Sequence, residues 1–182
     1  ATILPINKDD VLIGSGSSLI RHGKGEKITT QPMVGIKTIY HDTMDNRILI
    51  GMASQLVETG YDELLQKGQL QLNRLIGLRA MKVFPLTKQR MLVSSNLGLY
   101  LVDSEQDTNI LVLPYRVTDV EQDSEGRLWL VSPHKGLFLK EGEKFRNFPG
   151  SGDIPFYDVH NLSIDPQNNV WMVNDREIIR VV

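Results

Sequence analysis

The histidines and the acidic residues near them have the greatest potential for metal or acid–base chemistry in this sequence. No two of the four histidines lie at the spacing that places a pair of metal ligands on one helix or strand, which excludes a zinc site built from a local motif. A metal site would need a fold that gathers distant segments, with ligands from His134, Asp158, His160 and Asp175. The four histidines are His22, His41, His134 and His160.

Two kinds of short segment have features of ligand-binding loops. The segment GSGSSLI (Gly14 to Ile20) has the glycines of a phosphate-binding loop, but it lacks the lysine and the following helix on which such a loop depends. We predict a β-turn there. The pairs Asp42 with Asp45 and Asp165 with Asn168 lack the alternating oxygen ligands and the closing glutamate of a calcium loop. Capping of turns explains these residues better.

Nucleophilic catalysis has no basis in the sequence. Ser94, Ser95 and Ser132 have no neighbouring histidine and no nucleophile-elbow context, so we interpret each as the small residue at the end of a strand. The chain contains no cysteine, which excludes disulfides, thiolate metal sites and a cysteine nucleophile. This composition is compatible with a reducing compartment and with a periplasm alike.

The overall composition is that of a globular domain or of a piece of a larger one. The chain has 182 residues, 41% of them apolar, and no run approaches the roughly 18 uninterrupted apolar residues of a membrane span. Its net charge of −2 comes from interspersed positive and negative residues, without the basic stripe that a nucleic-acid backbone requires. The first residues, ATILPINKDD, lack the charged start and apolar core of a signal peptide. We therefore expect neither a nucleic-acid partner nor a membrane span in this chain.

An internal repeat organises the chain. When the segments GRLWLVS and NNVWMVN are aligned on their tryptophans, Trp129 and Trp171, an apolar residue occupies the same position in three earlier segments. Successive positions are 37, 43, 37 and 42 residues apart, close to the roughly 40 residues of a four-stranded propeller blade. We call this position the tryptophan position, and its five occupants are Leu12, Leu49, Leu92, Trp129 and Trp171.

Residues that favour tight turns separate the apolar runs. Asn46-Arg47, Glu125-Gly126 and Asn168-Asn169 supply residues that tolerate positive φ, as hairpin connections require. The corresponding pairs in the first and third copies, Asp9-Asp10 and Gln89-Arg90, are weaker turn signals. These turns predict β-hairpins.

The runs themselves predict strands that are buried on both faces. In GRLWLV, alternation places Leu128 and Leu130 on one face and Trp129 on the other, and both faces are apolar. Such strands indicate packed sheets. The one helix that we predict is a turn or two at YDELLQKG, Tyr61 to Gly68.

The repeats resemble the two-component regulator propeller repeats, which occur in the extracytoplasmic sensor halves of bacterial hybrid histidine kinases and related signalling proteins. The family pattern runs roughly D-x-x-G-x-hydrophobic-W-hydrophobic-x-small-x-x-G-hydrophobic. Virginiamycin-lyase-like and NHL-type propellers are the nearest rivals. The third repeat keeps only the later half of the pattern, and the first two are degenerate. The matching residues are Asn96 and Gly98 in the third repeat, Asp123, Gly126, Trp129 and Gly136 in the fourth, and Asp165 and Trp171 in the fifth.

The repeat and the resemblance predict an all-β fold, a β-propeller or propeller segment built from four-stranded blades of about 40 residues. The predicted single domain spans 1–182, with a fifth blade that stops after its third strand. Because Thr2 to Ile6 fit the first strand of the first repeat, the strand Glu177 to Val182 would keep an unpaired edge. We expect flanking propeller blades that are missing from this chain to cover that edge, with a second copy or a closed five-bladed ring as the alternatives. The approximate blades are 1–32, 33–75, 76–115, 116–156 and 157–182.

The loops between second and third strands, and those that link blades, are the predicted functional part of the fold. In propellers these loops emerge on one face around the channel. Here they are rich in aromatic and cationic groups, which suit a small anionic or sugar-like ligand or a protein partner. The candidate ligand-binding residues are Tyr115, Arg116, His134, Lys135, Phe156, Tyr157, Asp175 and Arg176.

The resemblance implies a binding module rather than an enzyme. On this hypothesis the chain is a periplasmic or other extracytoplasmic sensor, and ligand engagement changes its packing against a neighbouring domain or a second subunit. No catalytic residue, metal ion or cofactor is expected. Two alternatives stay open: a scaffold propeller that binds only proteins, and a propeller lyase or lactonase that uses the four candidate metal ligands named above.

Overall fold

The computed structural model of the protein describes residues 1–23, 33, 35–65, 70–133, 135–142, 144–148 and 159–181. These residues form five antiparallel sheets and one short helix, which confirms the prediction of an all-β propeller built from small blades. The chain forms two compact units, Ala1–Ser95 with Leu101–Ile110, and Asn96–Tyr100 with Leu111–Val182. No helix in the described ranges has the length and hydropathy of a membrane span.

Within each sheet the strands pair in chain order. The first sheet contains β1 (Thr2–Pro5), β2 (Val11–Ser15) and β3 (Ser18–His22). The second contains β4 (Thr38–Asp42), β5 (Arg47–Gly51), β6 (Leu56–Gly60) and β7 (Asn73–Ile76), and the third contains β8 (Lys82–Pro85), β9 (Arg90–Ser94), β10 (Leu99–Asp103) and β11 (Thr108–Leu113). The fourth contains β12 (Asp119–Gln122), β13 (Leu128–Ser132), β14 (Gly136–Glu141) and β15 (Lys144–Asn147), and the fifth contains β16 (Asn161–Ile164), β17 (Val170–Val173) and β18 (Ile178–Val181).

The strand count agrees with the repeat. The fifth sheet has three strands, as predicted, and helix α1 (Tyr61–Leu65) confirms the predicted helical turn between two strands of the second repeat. A fourth strand of the first repeat would follow β3, where residues 24–32 lie outside the described part of the chain.

The tryptophan position lies on the second strand of every sheet, which confirms the alignment of the five repeats. All five residues of β5 and of β13 are buried, so these strands are covered on both faces. Trp129 is only 5% exposed. The Trp129 indole is thus largely buried, whereas the Trp171 indole is only half-buried.

The predicted turn residues adopt the left-handed backbone conformation. Asn46, Gly126 and Asn168 have φ values of 47°, 79° and 63°. The second glycine of the motif is also required by the backbone. In the fourth repeat, Gly136 has a φ of 99°, which favours glycine. In the third repeat, a Cβ added at Gly98 would lie 2.3 Å from the Leu113 carbonyl oxygen. The predicted β-turn in GSGSSLI is confirmed by the turn between β2 and β3.

The aspartate of the repeat motif is a turn cap that also binds the motif tryptophan. Asp123 accepts hydrogen bonds from the backbone N–H of Glu125 (3.0 Å) and Arg127 (2.8 Å), from Arg127 Nε (2.6 Å) and from Trp129 Nε1 (2.9 Å). Burial raises the pKa of the Asp123 carboxyl, but the hydrogen bonds from Trp129 and Arg127 outweigh it and hold the pKa below its usual value.

The fifth repeat builds the same structure around Asp165. Its carboxylate accepts from the backbone N–H of Gln167 and Asn169, from Asn169 Nδ2 (2.8 Å) and from Trp171 Nε1 (2.9 Å). The Trp171 bond, followed by the Asn169 bond, lowers the pKa of Asp165 to about 2. The spacing of aspartate and tryptophan in the motif is therefore set by this hydrogen bond.

A pair of oppositely charged side chains also recurs, with one member two residues before the tryptophan position and the other on the neighbouring strand. In the second sheet, Arg47 Nη1 donates to Glu58 Oε2 at 2.6 Å, and Glu58 lies opposite Leu49 on the neighbouring strand. In the first sheet the charges are exchanged, because Asp10 Oδ2 accepts from Arg21 Nη2 at 2.8 Å. We call these the exchanged charge pairs.

Arg47 is also the main departure from the predicted turns. It was expected to lie in a hairpin turn with Asn46, but it begins β5 and is buried. Its Nε donates to Asp42 Oδ2 at 2.9 Å and its Nη2 to the carbonyl of Lys88 at 2.7 Å. Burial lowers the pKa of the Arg47 guanidinium, but the bonds to Asp42 and Glu58 outweigh it and raise the pKa above its usual value.

Candidate ligand-binding site

The loops predicted to carry function do connect second and third strands. They are residues 52–55, 95–98, 133–135 and 174–177 of the second to fifth sheets. Ser94 and Ser132 are buried at the ends of β9 and β13, as expected for small strand-end residues.

The connection that precedes β12 lies at the same end of the fourth sheet as the β13–β14 loop. Because β12 and β13 are antiparallel, the start of one strand is beside the end of the other. Thr118 N donates to the carbonyl of Val131 at 3.0 Å, and Ser132 Oγ donates to the carbonyl of Arg116 at 2.6 Å. These two bonds bring the predicted residues Tyr115 and Arg116 to the β13–β14 loop.

Three predicted site residues form one group at this end of the fourth sheet. Lys135 Nζ lies 5.1 Å from the centroid of the Tyr115 ring, and the same ring stacks on Phe138 with centroids 6.4 Å apart. Tyr115 is 36% exposed, and Arg116 beside it is exposed. We call Tyr115, Arg116 and Lys135 the Tyr115 cluster.

The backbone of the Tyr115 cluster is held in place while its cations stay accessible. Lys135 N donates to the carbonyl of Ser132 at 3.1 Å, and the Lys135 carbonyl accepts from Asn147 Nδ2 at 2.9 Å. Within the described ranges, neither the Arg116 guanidinium nor the Lys135 ammonium pairs with a carboxylate. The cluster is therefore a local positive surface next to an aromatic ring, the arrangement that attracts anionic groups.

A second group of site residues lies in the fifth sheet. His160 Nε2 and Asp175 Oδ1 are 2.9 Å apart, with both side chains exposed. Arg176 follows in the same loop, where Asn174 Oδ1 accepts from the backbone N–H of Arg176 (2.8 Å) and Glu177 (2.9 Å). His160 was considered only as a metal ligand, and the structure gives it one acidic partner.

Thr118 connects the two groups. Its hydroxyl donates to the carbonyl of Val159 at 2.9 Å, next to His160, while its N–H binds β13. Asp119 Oδ2 then accepts from Leu162 N at 3.1 Å. The segments that carry Arg116 and His160 are thus neighbouring backbones within one compact unit.

Not every candidate can be placed. His134, Phe156 and Tyr157 lie outside the described residues, as does Asp158 of the alternative metal site. Among the described side chains, no three histidines or acidic residues are arranged to hold a metal ion.

One residue at an equivalent position was missed by the sequence analysis. Arg79 precedes Leu92 by 13 residues, as Arg116 precedes Trp129 by 13. Its Nε atom is buried, and no hydrogen-bond partner for it exists among the described residues. The repeat interval was the signal that could have identified it, because it places an arginine before the first strand in two successive repeats.

Comparison with solved structures shows the fold. The extracellular domain of the putative hybrid two component system BT4673 from B. thetaiotaomicron matches with a TM-score of 0.73 and 14% identity, over 97% of this chain and 26% of that one. The corresponding domain of BT3049 from the same organism gives 0.73 and 14%, over 100% of this chain and 28% of that one. YCF48 bound to D1 peptide matches with a TM-score of 0.70 and 10% identity, over 99% of this chain and 63% of that one.

These likenesses establish a β-propeller fold. The chain spans about a quarter of the length of the two B. thetaiotaomicron chains. No family model matches the sequence, and no curated protein matches it.

Proposed function

We propose that this chain is the ligand-sensing part of an extracytoplasmic bacterial signalling protein, and that the Tyr115 cluster binds an acidic sugar. The observation that carries the proposal is the position of Lys135 Nζ, 5.1 Å from the Tyr115 ring, beside the exposed Arg116. An aromatic face next to two accessible cations suits a ligand that has both an apolar ring face and anionic groups.

The chemistry of each cluster residue follows from its geometry. The Tyr115 ring is held by its stack on Phe138, so its accessible area requires little ordering when a sugar ring packs on it. Arg116 supplies forked donors that match a carboxylate or sulfate, and Lys135 supplies a compact positive charge. The loop and strand that carry these groups are already joined by the Ser132 bond to the Arg116 carbonyl.

The similarity to extracellular domains of putative hybrid two component systems supports a sensor in an extracytoplasmic compartment. The same likeness supports a binding module without catalytic activity. Ligand engagement would then change how the propeller packs against a neighbouring domain or subunit.

The direct test is isothermal titration calorimetry with three probes: an oligogalacturonate hexamer, maltohexaose and a hexaglutamate peptide. We expect the oligogalacturonate to bind, Tyr115→Ala to weaken it about tenfold, and Arg116→Gln or Lys135→Gln to weaken it and reduce its salt dependence. Lys144→Gln is the matched control, because Lys144 is exposed on β15, at the opposite end of β14 from the cluster.

The same experiment distinguishes a sensor of acidic sugars from a propeller that binds only proteins. Leu97 is 66% exposed in the β9–β10 loop, and one similar structure carries a peptide. Binding of hexaglutamate without binding of oligogalacturonate would favour this alternative. Equal binding of oligogalacturonate by the wild type and all three cluster variants would reject the proposed site.

A further inference from the structure

One arginine of this chain is half-buried without a carboxylate partner. The structure describes four arginines that are buried or half-buried. Three of them bond a carboxylate oxygen at 2.6–2.9 Å. The fourth, Arg79, pairs with none of the described carboxylates. The three paired arginines are Arg21 with Asp10, Arg47 with Asp42, and Arg127 with Asp123.

The Arg79 Nε atom is enclosed and has no hydrogen-bond acceptor among the described residues. Such a donor has lost its bond to water without gaining one to the protein, which is unfavourable. The bond is regained when the side chain turns outward to an acceptor that a ligand brings. An oxyanion suits this role, because Nε and one Nη atom together match two oxygens of a carboxylate, sulfate or phosphate.

The backbone beside Arg79 is attached to the second sheet. Ala80 N donates to the carbonyl of Met52, in the β5–β6 loop, at 3.1 Å. The preceding carbonyl, that of Gly51, accepts from Lys37 N at 2.8 Å. Arg79 and Lys37 are therefore both anchored at the end of the second sheet that carries the β5–β6 loop.

The segments that meet at this end contain no acidic residue. The acidic residues in the described part of the first unit lie toward the opposite end, in α1, in or beside the β1–β2, β4–β5 and β10–β11 connections, and on β6, where Glu58 bonds Arg47 at the start of β5. The end that carries Arg79 is thus positive, and a surface of one sign attracts anions. The segments without acidic residues are 14–18, 35–38, 51–56, 74–82 and 94–95.

Two more cations lie at this end. Lys37 is exposed, and so is Arg74, whose guanidinium packs against Gly77, two residues before Arg79. Neither pairs with a carboxylate in the ranges that the structure describes. Both can therefore add positive charge beside Arg79 without first breaking an ion pair.

We propose that Arg79, Lys37 and Arg74 form a binding site for an oxyanionic group of a ligand, in which Arg79 makes the forked contact. We call these three residues the Arg79 site. The repeat supports this role, because Arg79 holds in the third repeat the position that Arg116 holds in the fourth. The inference does not depend on the Tyr115 cluster, which belongs to the other compact unit.

The test is proton–nitrogen correlation NMR of the arginine side chains, in which the Nε–H group of Arg79 gives its own signal. Arg79→Lys assigns this signal by its disappearance. Sulfate, phosphate and acetate are titrated separately at constant ionic strength, with chloride as the balancing anion. We expect a saturable shift of the Arg79 Nε–H signal. A response to acetate would indicate a carboxylated ligand, and a response to sulfate or phosphate alone would indicate a sulfated or phosphorylated one.

The backbone N–H signals of Lys37 and Ala80 measure the affinity in variants. Arg79→Gln should raise Kd about tenfold, because the forked contact is lost. Lys37→Gln and Arg74→Gln should raise it by a smaller factor. Lys8→Gln and Arg90→Gln are the matched controls and should bind like the wild type, since both cations are exposed at the opposite end of their sheets.

Thermal unfolding in chloride separates a binding role from a structural one. Arg79→Gln should leave the melting temperature unchanged or raise it, whereas Arg127→Gln should lower it, because only Arg127 has a carboxylate partner to lose. An Arg79 Nε–H signal that none of the three anions moves would overturn the inference. Equal affinity in the wild type and Arg79→Gln, or a loss of stability in Arg79→Gln as large as in Arg127→Gln, would do the same.

Discussion

Replacement of Asp123 by alanine should strongly destabilise the fourth sheet. The Asp123 side chain is completely buried and accepts four hydrogen bonds, two from turn amides, one from Arg127 Nε and one from the Trp129 indole. Alanine removes every acceptor at once. The indole N–H is then left without a partner inside the protein, because Trp129 is 5% exposed.

The expected loss follows from how well water can replace each bond. A buried donor without an acceptor costs about 1–3 kcal/mol, and each solvent-accessible turn amide contributes about 1 kcal/mol when bonded to a carboxylate. Arg127 is 41% exposed and keeps Glu125 as a second partner at 3.1 Å, so its share is small. We therefore expect the free energy of unfolding to fall by about 3–5 kcal/mol.

Chemical denaturation followed by circular dichroism and tryptophan fluorescence would measure this loss. Asp123→Asn should cost less, because an amide oxygen can still accept from the two turn amides. Asp165→Ala is the internal comparison: Asp165 makes the same kinds of bonds, but its tryptophan is half-buried and water can replace the lost acceptor. A loss below about 1 kcal/mol for Asp123→Ala, or a larger loss for Asp165→Ala, would refute the reasoning.

Trp129→Ala should lower the free energy of unfolding by about 3–5 kcal/mol. Trp171→Ala should lower it by less, because the Trp171 ring is only partly covered. Equal losses in denaturant titrations would contradict this expectation. The pKa of Asp165 is about 2 in the folded protein and about 3.9 in an unfolded chain. The stability from this carboxylate is therefore present above about pH 4 and lost as the pH falls toward about 2. Melting temperatures measured across that range should fall less in Asp165→Asn than in the wild type. Finally, EDTA should leave the melting temperature unchanged, whereas a decrease would favour the metal-dependent enzyme.

Local signals in the sequence were sufficient to predict the repeated unit. The tryptophan position, the positive-φ turn residues and the alternation around Trp129 each depend on a few neighbouring residues. Their period then placed Leu12, Leu49 and Leu92 on second strands, although these residues share no motif with the tryptophans.

The difference between Trp129 and Trp171 could not be predicted in the same way. Both residues have the same motif and the same hydrogen bond to an aspartate. Their burial differs because Trp129 contacts residues of the next sheet, such as Val170 and Met172, whereas the corresponding face of the fifth sheet is exposed.

The contacts within the candidate site could not be predicted from the sequence either. Tyr115 and Lys135 were both selected for their residue types and loop positions, but their contact depends on the register of β12 against β13, which no pattern in the sequence specifies. Arg47 was assigned to a turn for the same reason, because its partner Glu58 lies on a different strand.

The exchanged charge pairs constrain how such a chain can be rearranged by recombination. A crossover between the first and second repeats that falls within the hairpin would combine Asp10 with Glu58, or Arg47 with Arg21, and so place like charges together. A crossover that transfers both strands of the hairpin keeps each pair intact. The hairpin, rather than the single strand, is therefore the smallest piece that these two repeats can exchange without separating the members of an exchanged charge pair.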